Sequence, residues 1–346
     1  MRKLASIQRI QSLSPIKDAD SIEVAQVLGW KVVVRKGDFN VGDLVVYCEI
    51  DSLLPERPEF EFLRNNKFRI RTVRLRGQIS QGICFPLNVL SLETRWHVQE
   101  LEKARIMRIH GANGAEGMNV TNDLGIIKYE PPIPAELAGE VKGAMPSFII
   151  KTDEDRIQIL PQIPVKYGGL QFIVTEKLDG SSTTYYWKDG GFGVCGRNWE
   201  YREDSRNSMW RFARENKIEE KMRELGRNLA FQGEIIGEGI QKNRYKLKGQ
   251  SVRFFCMFDI DKFQYLPYDE MLPLLDEFGL EPVPCVDWNY TLPTSIDEII
   301  EYATGKSLLN PQTQREGVVF VRYDESELGR ISFKSISNKF LIDNKE

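Results

Sequence analysis

The sequence predicts an α+β protein, with a small β-barrel at the N-terminus followed by a domain built on an antiparallel sheet. Three features of the chain predict this arrangement. Short strand-like runs fill residues 1–120, proline and glycine interrupt the pattern over 121–150, and strands alternate with helices over 151–346. We therefore expect a barrel module over 1–120, a linker over 121–150 and a larger second domain over 151–346.

The strand-like runs of the first module are short and bounded by glycine. Residues 21–27 alternate between apolar and polar, and residues 44–48 form the continuous apolar run of a buried strand. Another run, 31–34, lies between them, and Gly37 and Gly42 mark the turns because each precedes an aspartate. Several short strands in a segment of this length are typical of an OB-like barrel, which is our prediction for residues 1–120.

Residues 68–77 predict a further strand in which arginines are interleaved. The first two arginines lie at odd positions and the last two at even positions, so a straight strand would place the pairs on opposite faces. We infer either a bulge near Thr72 or a strand exposed on both faces. Arginines on a barrel strand suit a phosphate backbone, and the alternative is a solvated face or a contact between domains. The predicted nucleic-acid-binding residues are Arg69, Arg71, Arg74 and Arg76.

The second domain alternates apolar runs with one long helical pattern. A helix is predicted from Asp204 to about Leu225, because apolar residues recur there at helical spacing. The strands are predicted at 172–176, 182–187, 193–195, 229–233, 252–260, 317–323 and 331–335. Consecutive strands of this kind predict a largely antiparallel core.

The composition is that of a globular chain, with 41% hydrophobic and 28% charged residues. No run approaches the roughly 20 apolar residues that a membrane-spanning helix needs, and the first residues lack the apolar core of a secretory signal. We therefore expect no membrane association and an intracellular location, cytoplasmic or nuclear. The net charge of −3 gives no general attraction to phosphate, so a nucleic-acid-binding surface must concentrate its basic residues locally.

Cysteine and histidine usage excludes several kinds of site. The five cysteines are widely scattered and never spaced as Cys-x-x-Cys, so we expect buried free thiols rather than disulfides. The two histidines, His97 and His110, are too few for a zinc site or a Ser-His-Asp triad and are interpreted as surface or loop residues.

The strongest chemical signal is the run from Glu176 to Ser182, directly after a predicted strand. Its Lys177 is a candidate nucleophile, which requires a site that lowers the pKa of the lysine by desolvation or by nearby positive charge. Asp179 could help to place a cation that supplies this charge, and Gly180 allows the backbone to lie close to a ligand. Taken alone, the same residues also fit a surface turn.

Five further segments follow in order, and the third of them is the pair Phe254–Phe255. Arg197 comes after a short strand, Glu234 lies inside an apolar strand, Glu316 precedes another, and Lys334 lies in the last strand. A carboxylate inside an apolar strand is costly unless it meets a cation or a hydroxyl. Phe254 and Phe255 each offer a ring for stacking on a base. Each segment alone has a structural interpretation, but the ordered series favours a common site.

In this order the segments resemble the motifs of the covalent nucleotidyltransferases, which include ATP-dependent ligases and messenger-RNA capping enzymes. The resemblance covers residues 150–340 and implies a nucleotidyltransferase (adenylation) domain in which Lys177 forms a lysyl-AMP from ATP. The implied catalytic residues are Lys177, Asp179, Glu234, Glu316 and Lys334. Mg²⁺, for which Mn²⁺ can substitute, is implied to be held through water by Asp179, Glu234 and Glu316. The implied nucleotide-binding residues are Glu176, Lys177, Leu178, Arg197, Glu234, Phe255 (or Phe254) and Lys334.

The leading barrel, together with the run 151–158 just before the lysine, is similar to the RNA ligases that carry an N-terminal OB module. We expect no second barrel, because the chain stops six residues past Phe340. The resemblance implies an enzyme that seals nicked duplexes with an RNA 3′-OH strand. We expect a monomer, since nothing in the sequence requires a larger assembly. The alternatives are a DNA ligase, a capping enzyme, or a nucleic-acid-binding protein on an inactive ligase fold.

Two short motifs in the last part of the sequence are incomplete. Ligases commonly carry Lys-x-Lys in the last motif, but Ile336 occupies the second position, so either Lys339 substitutes or Lys334 serves alone. Residues 304–307 end like a phosphate-binding P-loop, but Ile300 stands where that loop requires glycine.

Overall fold

A computed structural model describes residues 3–17, 19–107, 114–129, 139–323 and 330–344. These residues divide into two compact units. The first unit holds those within 1–131, 158–161 and 341–346, and the second holds those within 132–157 and 162–340. The division between 131 and 132 falls inside the predicted linker, whose residues 130–138 lie outside the described part. The exact boundaries 1–120 and 151–346 stay a prediction.

In its described residues, the first unit is built from short strands and one α-helix. Its elements are β1 Ala5–Arg9, β2 Ser12–Pro15, β3 Ile22–Val27, β4 Trp30–Arg35, β5 Leu44–Cys48, β6 Ser52–Leu53, β7 Val73–Leu75, β8 Gln78–Ser80, β9 Ile83–Phe85, β10 Ile127–Lys128 and α1 Leu92–Ile106. Antiparallel pairing gives the orders β1-β5-β9 and β2-β3-β4, with β7-β8 as a hairpin and β10 beside β6. Large side chains that are fully buried, Trp30, Tyr47 and Phe60 among them, fill its core.

The second unit is an antiparallel-sheet domain. Its strands are β11 Val141–Ala144, β12 Gln171–Lys177, β13 Ser181–Lys188, β14 Gly191–Cys195, β15 Trp199–Tyr201, β16 Leu229–Gly237, β17 Gln250–Asp259, β18 Gln264–Tyr265, β19 Glu281–Pro282, β20 Cys285–Thr291, β21 Gly317–Tyr323 and β22 Arg330–Ile336. The helices are α2 Gln162–Tyr167, α3 Ser208–Glu215, α4 Ile218–Leu225, α5 Tyr268–Glu277 and α6 Ile296–Tyr302. A last helix, α7 Asn338–Asp343, begins in this unit, and its residues 341–343 are counted with the first.

Two sheets organise this unit. The longer one runs β11-β15-β14-β13-β16-β17-β18, with β19 beside β17, and the shorter one runs β20-β12-β21-β22. Apolar side chains of α3, α4 and α5 pack with those of β16 and β17 in one core cluster. The architecture confirms the predicted α+β class, with the strand-rich module ahead of the antiparallel sheets.

Two predicted elements differ in the structure. The helix predicted over 204–225 is two helices, because Lys217 adopts a left-handed conformation (φ 53°) and the Asn207 side chain starts α3 by accepting from Met209 N. The strand predicted over 68–77 is only Val73–Leu75. Phe68 and Arg76 have positive φ angles, so extended backbone includes neither of them. All three residues of that strand are exposed, which agrees with the expectation of a strand open on both faces.

The cysteines are free thiols, and the prediction of buried sulfur is confirmed for Cys48, Cys84, Cys195 and Cys256, whereas Cys285 is half-buried. His97 is exposed on α1, as expected, and His110 lies outside the described residues. Among the helices of the described ranges, none has the length and apolar character needed to cross a membrane.

Candidate active site

Lys177 ends β12, and its side chain meets a carboxylate from the neighbouring strand. Lys177 pairs with Gly317 of β21, which brings Glu316, one residue earlier, beside it. Lys177 Nζ donates a hydrogen bond to Glu316 Oε1 at 2.7 Å. The lysine side chain is 28% exposed and that of Glu316 12%, so the pair lies at the mouth of the site rather than in free solvent.

Carboxylates set the protonation of this lysine. Burial alone lowers the pKa of Lys177, but the negative charges of Glu316, Glu234 and Asp179 outweigh it and hold the pKa above its ordinary value. In the protein by itself, therefore, the nucleophile candidate is an ammonium. The expected lowering of the pKa requires positive charge from a ligand to offset these carboxylates.

Glu234 lies in the middle of β16 and belongs to the same electrostatic group. Burial, together with the charges of Glu316 and Asp179, raises the pKa of Glu234 to about 8, although Lys177 acts in the opposite direction. An isolated glutamate has a pKa near 4.3, so the protein without a cation favours a proton on this side chain at neutral pH. The three carboxylates compete for the single positive charge of Lys177.

The loop after Lys177 packs tightly against β16. A Cβ on Gly180 would lie 2.4 Å from Ile235 O and 2.8 Å from Glu234 Cγ, so no larger residue fits there without moving β16. Asp179 N donates to Tyr245 Oη at 2.7 Å, and Arg244 Nη1 lies 3.5 Å from Asp179 Oδ2. These contacts fix the backbone that carries Asp179.

The two phenylalanine candidates have different environments. Gln232 pairs with Cys256 and Gly233 with Phe254, so Phe255 is the extra residue of a β-bulge. Phe254 is fully buried in the core, whereas Phe255 is only partly buried and packs against the cluster of Leu178, Ile236, Tyr245 and Val283. Phe255, and not the fully buried Phe254, is therefore the phenylalanine that packs against the cluster containing Leu178, the residue after Lys177.

Lys334 shares the sheet face of the nucleophile candidate. Cross-strand partners lie on one face, and Lys177, Gly317 and Ile336 form one such row. Lys334 precedes Ile336 by two residues and therefore points to the same side. Lys334 N donates to Asp155 O at 2.8 Å, which ties the segment 151–157 to this strand. Ile336 is buried, whereas Lys339 is exposed on α7.

Two predicted nucleotide-binding residues have other contacts. Glu176 precedes Lys177, so its side chain points to the opposite face of β12, where Oε2 accepts a hydrogen bond from Leu308 N at 2.7 Å. Burial raises the pKa of this carboxyl. Arg197 is exposed and donates to Asp153 Oδ1 at 2.9 Å.

The carboxylates suit a hydrated cation better than a directly ligated one. No group of three acidic, histidine or cysteine side chains within the described ranges is arranged to hold a metal ion directly. Glu316 Oε2 is nevertheless buried without a hydrogen-bond partner among the described residues. Mg²⁺ usually keeps several of its waters, so Asp179, Glu234 and Glu316 fit a water-mediated site.

The four predicted nucleic-acid-binding arginines lie in the other unit and are not alike. Arg69 Nη2 donates to Asp51 Oδ1 at 2.8 Å, and its guanidinium lies 4.0 Å from the centre of the Tyr129 ring. Arg71, Arg74 and Arg76 are exposed and have no ion-pair partner within the part of the chain that the structure describes. Arg69 therefore serves the fold of its unit, and the other three remain available to a ligand.

The sequence analysis missed the residues that support the site from behind. Arg244 and Tyr245 contact the Asp179 loop, and Glu154 holds Arg330 Nη2 at 2.7 Å and Ser332 Oγ at 2.6 Å beside Lys334. The first pair had a detectable signal, since the run 239–249 is bracketed by glycines and rich in basic residues. Glu154 lies in the run 151–158 that contributed to the resemblance, but its pairing with Arg330 had no signal because the two residues are far apart in the chain.

Two parts of this chain match models of known protein families. An RNA ligase family model matches residues 170–336, and an OB-fold domain model matches residues 4–87. No curated protein matches the chain significantly.

Among solved structures, the RNA ligase of Naegleria gruberi is similar over its whole length. An aspartate-to-alanine variant without ligand is 42% identical, with a TM-score of 0.85 over 99% of this chain and 98% of that one. A lysine-to-alanine variant with ATP and Mn is 42% identical, with a TM-score of 0.84 over 99% of both chains. A glutamate-to-alanine variant with AMP and Mn is 42% identical, with a TM-score of 0.85 over 100% and 99%. With this identity along the full length, the chain belongs to the RNA ligase family.

Proposed function

We propose that this RNA ligase uses ATP to join a 3′-OH to a 5′-phosphate, sealing nicks in duplexes through a lysyl-AMP on Lys177. The observation that carries the proposal is the contact of Lys177 Nζ with Glu316 Oε1, where Glu234 and Asp179 act on the same ammonium. The N. gruberi ligase structures with ATP, AMP and pyrophosphate support the choice of nucleotide. A monomeric state and a cytoplasmic or nuclear location stay predictions.

The reaction has three steps. Lys177 Nζ attacks the α-phosphorus of ATP, and pyrophosphate leaves. The AMP group then passes from Nζ to an oxygen of a 5′-phosphate, and finally a 3′-OH attacks that phosphorus while AMP leaves. The proton that Nζ must lose in the first step has Glu316 Oε1 at hydrogen-bond distance. Phosphoryl transfers of this kind depend on positioning and on charge stabilisation.

A divalent cation fits the acidic side of the site. We propose Mg²⁺, with Mn²⁺ able to replace it, held through water by Asp179, Glu234 and Glu316. When bound, the ion supplies positive charge that lowers the pKa of a neighbouring lysine and stabilises charge on phosphate. Two observations support these residues: Glu316 Oε2 is buried without a hydrogen-bond partner among the described residues, and burial with neighbouring negative charge raises the pKa of Glu234. A nearby cation would stabilise the charged form of both carboxylates.

The remaining residues are proposed to hold the nucleotide. Phe255 stacks on adenine beside Leu178, Lys334 contacts the α-phosphate from the same sheet face as Lys177, and Arg197 and Glu234 contact the ribose and its phosphate. Glu176 contributes by fixing the end of β12 through Leu308, since its carboxylate faces away from the nucleophile. With Ile336 buried, Lys334 serves alone.

Sealing of defined nicks tests the proposal. We expect the purified protein, with ATP and Mg²⁺, to join a nicked duplex whose 3′-OH strand is RNA, and to act poorly when the terminal 3′-OH nucleotides are DNA. The readout is the length of an end-labelled strand on a denaturing gel. Preference for GTP, or equal sealing of a DNA 3′-OH strand, would move the assignment to a capping enzyme or a DNA ligase.

Replacing Gly180 with alanine should reduce self-adenylylation about 100-fold, because the new methyl group displaces β16 at Glu234 and misplaces charged groups by about 1 Å. Gly143→Ala is the control, since a Cβ there meets nothing within 4 Å. The measurement is the rate of covalent label transfer from α-labelled ATP. Equal rates for the two variants would contradict the close packing proposed for this loop.

Arg71, Arg74 and Arg76, which lie in or just before the β7-β8 hairpin, are proposed to bind the nucleic acid. Replacing Arg71, Arg74 and Arg76 together with glutamine should weaken binding of a nicked duplex and reduce the slope of log K against log salt concentration by up to about 3. Arg69 is left intact because its contacts with Asp51 and Tyr129 are internal. Fluorescence anisotropy at several salt concentrations measures the slope, with Arg223→Gln as an exposed control. An unchanged slope would assign these arginines to solvent.

A further inference from the structure

The loop that joins β16 to β17, residues 239–249, has an unusual backbone. Three consecutive residues that are not glycine, Gln241, Lys242 and Asn243, all have positive φ angles of 41°, 59° and 47°, and Lys246 follows at 54°. Left-handed backbone is unfavourable for residues other than glycine, and such strain concentrates at functional sites. The loop keeps this shape through its own hydrogen bonds, including Asn243 Nδ2 to Leu247 O at 2.9 Å.

The inner side of the loop contacts the backbone next to the nucleophile. Gln241 Nε2 donates to Gly180 O at 3.3 Å, and Tyr245 Oη accepts from Asp179 N at 2.7 Å. Arg244 Nη1 lies 3.5 Å from Asp179 Oδ2, and its guanidinium packs over the Phe340 ring. A movement of the loop would therefore displace Asp179 and Gly180, which follow Lys177.

The outer side of the loop is basic. Lys242, Lys246 and Lys248 are exposed, and none of them has an ion-pair partner in the described ranges of the chain. In a chain with a net charge of −3, three neighbouring cations without acidic partners form a local surface that attracts phosphate. The strain, the position beside Asp179 and the charge are three independent observations on one segment.

We propose that the 239–249 loop is a clamp for the polynucleotide at the nick, in which its three exposed lysines bind successive backbone phosphates next to the 5′-phosphate end. The inference rests on the proposed function, because it assumes a nucleic-acid substrate. A row of exposed cations along a loop suits a phosphodiester backbone, whereas the phosphates of a single nucleotide already have Lys177 and Lys334 close to the sheet. Tyr245 and Arg244 then hold the bound strand in register with the Asp179 loop.

The test separates the nucleotide step from the polynucleotide steps. Lys242, Lys246 and Lys248 are replaced together with glutamine, and a control triple carries Lys217→Gln, Arg223→Gln and Lys262→Gln, which removes the same charge from exposed positions elsewhere in the unit. Label transfer from α-labelled ATP to the protein reports the first step. Sealing of a nicked duplex by pre-adenylylated protein, over a range of duplex concentrations, reports the later ones.

The clamp predicts a loss of sealing at low duplex concentration that exceeds any loss of label transfer at least 10-fold, with recovery at saturating duplex. The control triple should retain sealing, and an arginine triple at the three loop positions should restore it, because the charge returns. Equal losses in both steps would reassign the lysines to ATP or to folding, and unchanged sealing by the glutamine triple would remove the clamp. A wild-type protein that takes label but seals no nick would instead overturn the proposed function.

Discussion

Replacing Lys177 with alanine should abolish covalent labelling of the protein by α-labelled ATP. The phosphoramidate bond can form only at Nζ, so no residual rate from charge or packing is expected once that atom is absent. The measurement is label retained after denaturation in the presence of Mg²⁺. Lys262→Ala, at an exposed lysine of the same unit, should label like the wild type.

Lys177→Arg sharpens this test, since arginine keeps the positive charge opposite Glu316 but stays protonated in proteins. The arginine variant should fold with its ion pair intact and still take no label. Label on either variant would place the nucleophile elsewhere, and absence of label on the wild type with every nucleotide would favour the inactive ligase fold.

Replacing Arg330 with methionine should destabilise the second unit by about 3–5 kcal/mol, the range seen when one partner of a buried ion pair is removed. The Arg330 side chain is only 5% exposed, donates to Glu154 Oε1 at 2.7 Å and lies 3.8 Å from the centre of the Tyr265 ring. Without it, Glu154 keeps a largely buried charge whose only described side-chain partner from β22 is Ser332. Urea unfolding monitored by circular dichroism gives the difference in the free energy of unfolding.

An exposed ion pair provides the comparison for this prediction. Arg206 pairs with Asp204 but its side chain is 78% exposed, so solvent screens the pair and Arg206→Met should leave the free energy of unfolding almost unchanged. Adding Glu154→Gln to Arg330→Met should recover part of the loss, because the uncompensated charge disappears. A loss below about 1 kcal/mol for Arg330→Met would mean that solvent reaches Glu154.

Much of the architecture follows from patterns that act over a few residues. The strands around Lys177, Glu234 and Lys334 were predicted because apolar residues and turn signals are local properties of the chain. The helix over 204–225 was wrong in one respect, since a left-handed residue such as Lys217 leaves no mark on helical spacing. The strand over 68–77 was overlong, and the left-handed residues Phe68 and Arg76 at its two ends likewise leave no mark on the alternation of apolar and polar residues.

What escaped prediction depends on contacts between distant segments. Glu154 and Arg330 meet across 176 positions, so the run 151–158 around Glu154 gives no indication that Arg330 is its partner. The choice between Phe254 and Phe255 depends on a bulge opposite Gln232 and Gly233, which only the pairing of β16 with β17 reveals. The sequence does not distinguish Arg69 from the other three arginines of the run 68–77. In the structure, only Arg69 of these four is described in contact with Asp51 and Tyr129 of its own unit.

The low reactivity of the native thiols allows a fluorescent dye to be attached at one chosen position of the protein. Burial raises the pKa of Cys84 and Cys256 to about 12 and that of the half-buried Cys285 to about 11, and Cys48 and Cys195 are shifted in the same direction. Because the thiolate is the reactive form, all five cysteines should react only slowly with maleimide dyes at neutral pH. A cysteine introduced in place of the exposed Lys248 would then react selectively with the dye. The fluorescence of the attached dye would report binding of the polynucleotide in real time, with every native cysteine still in place.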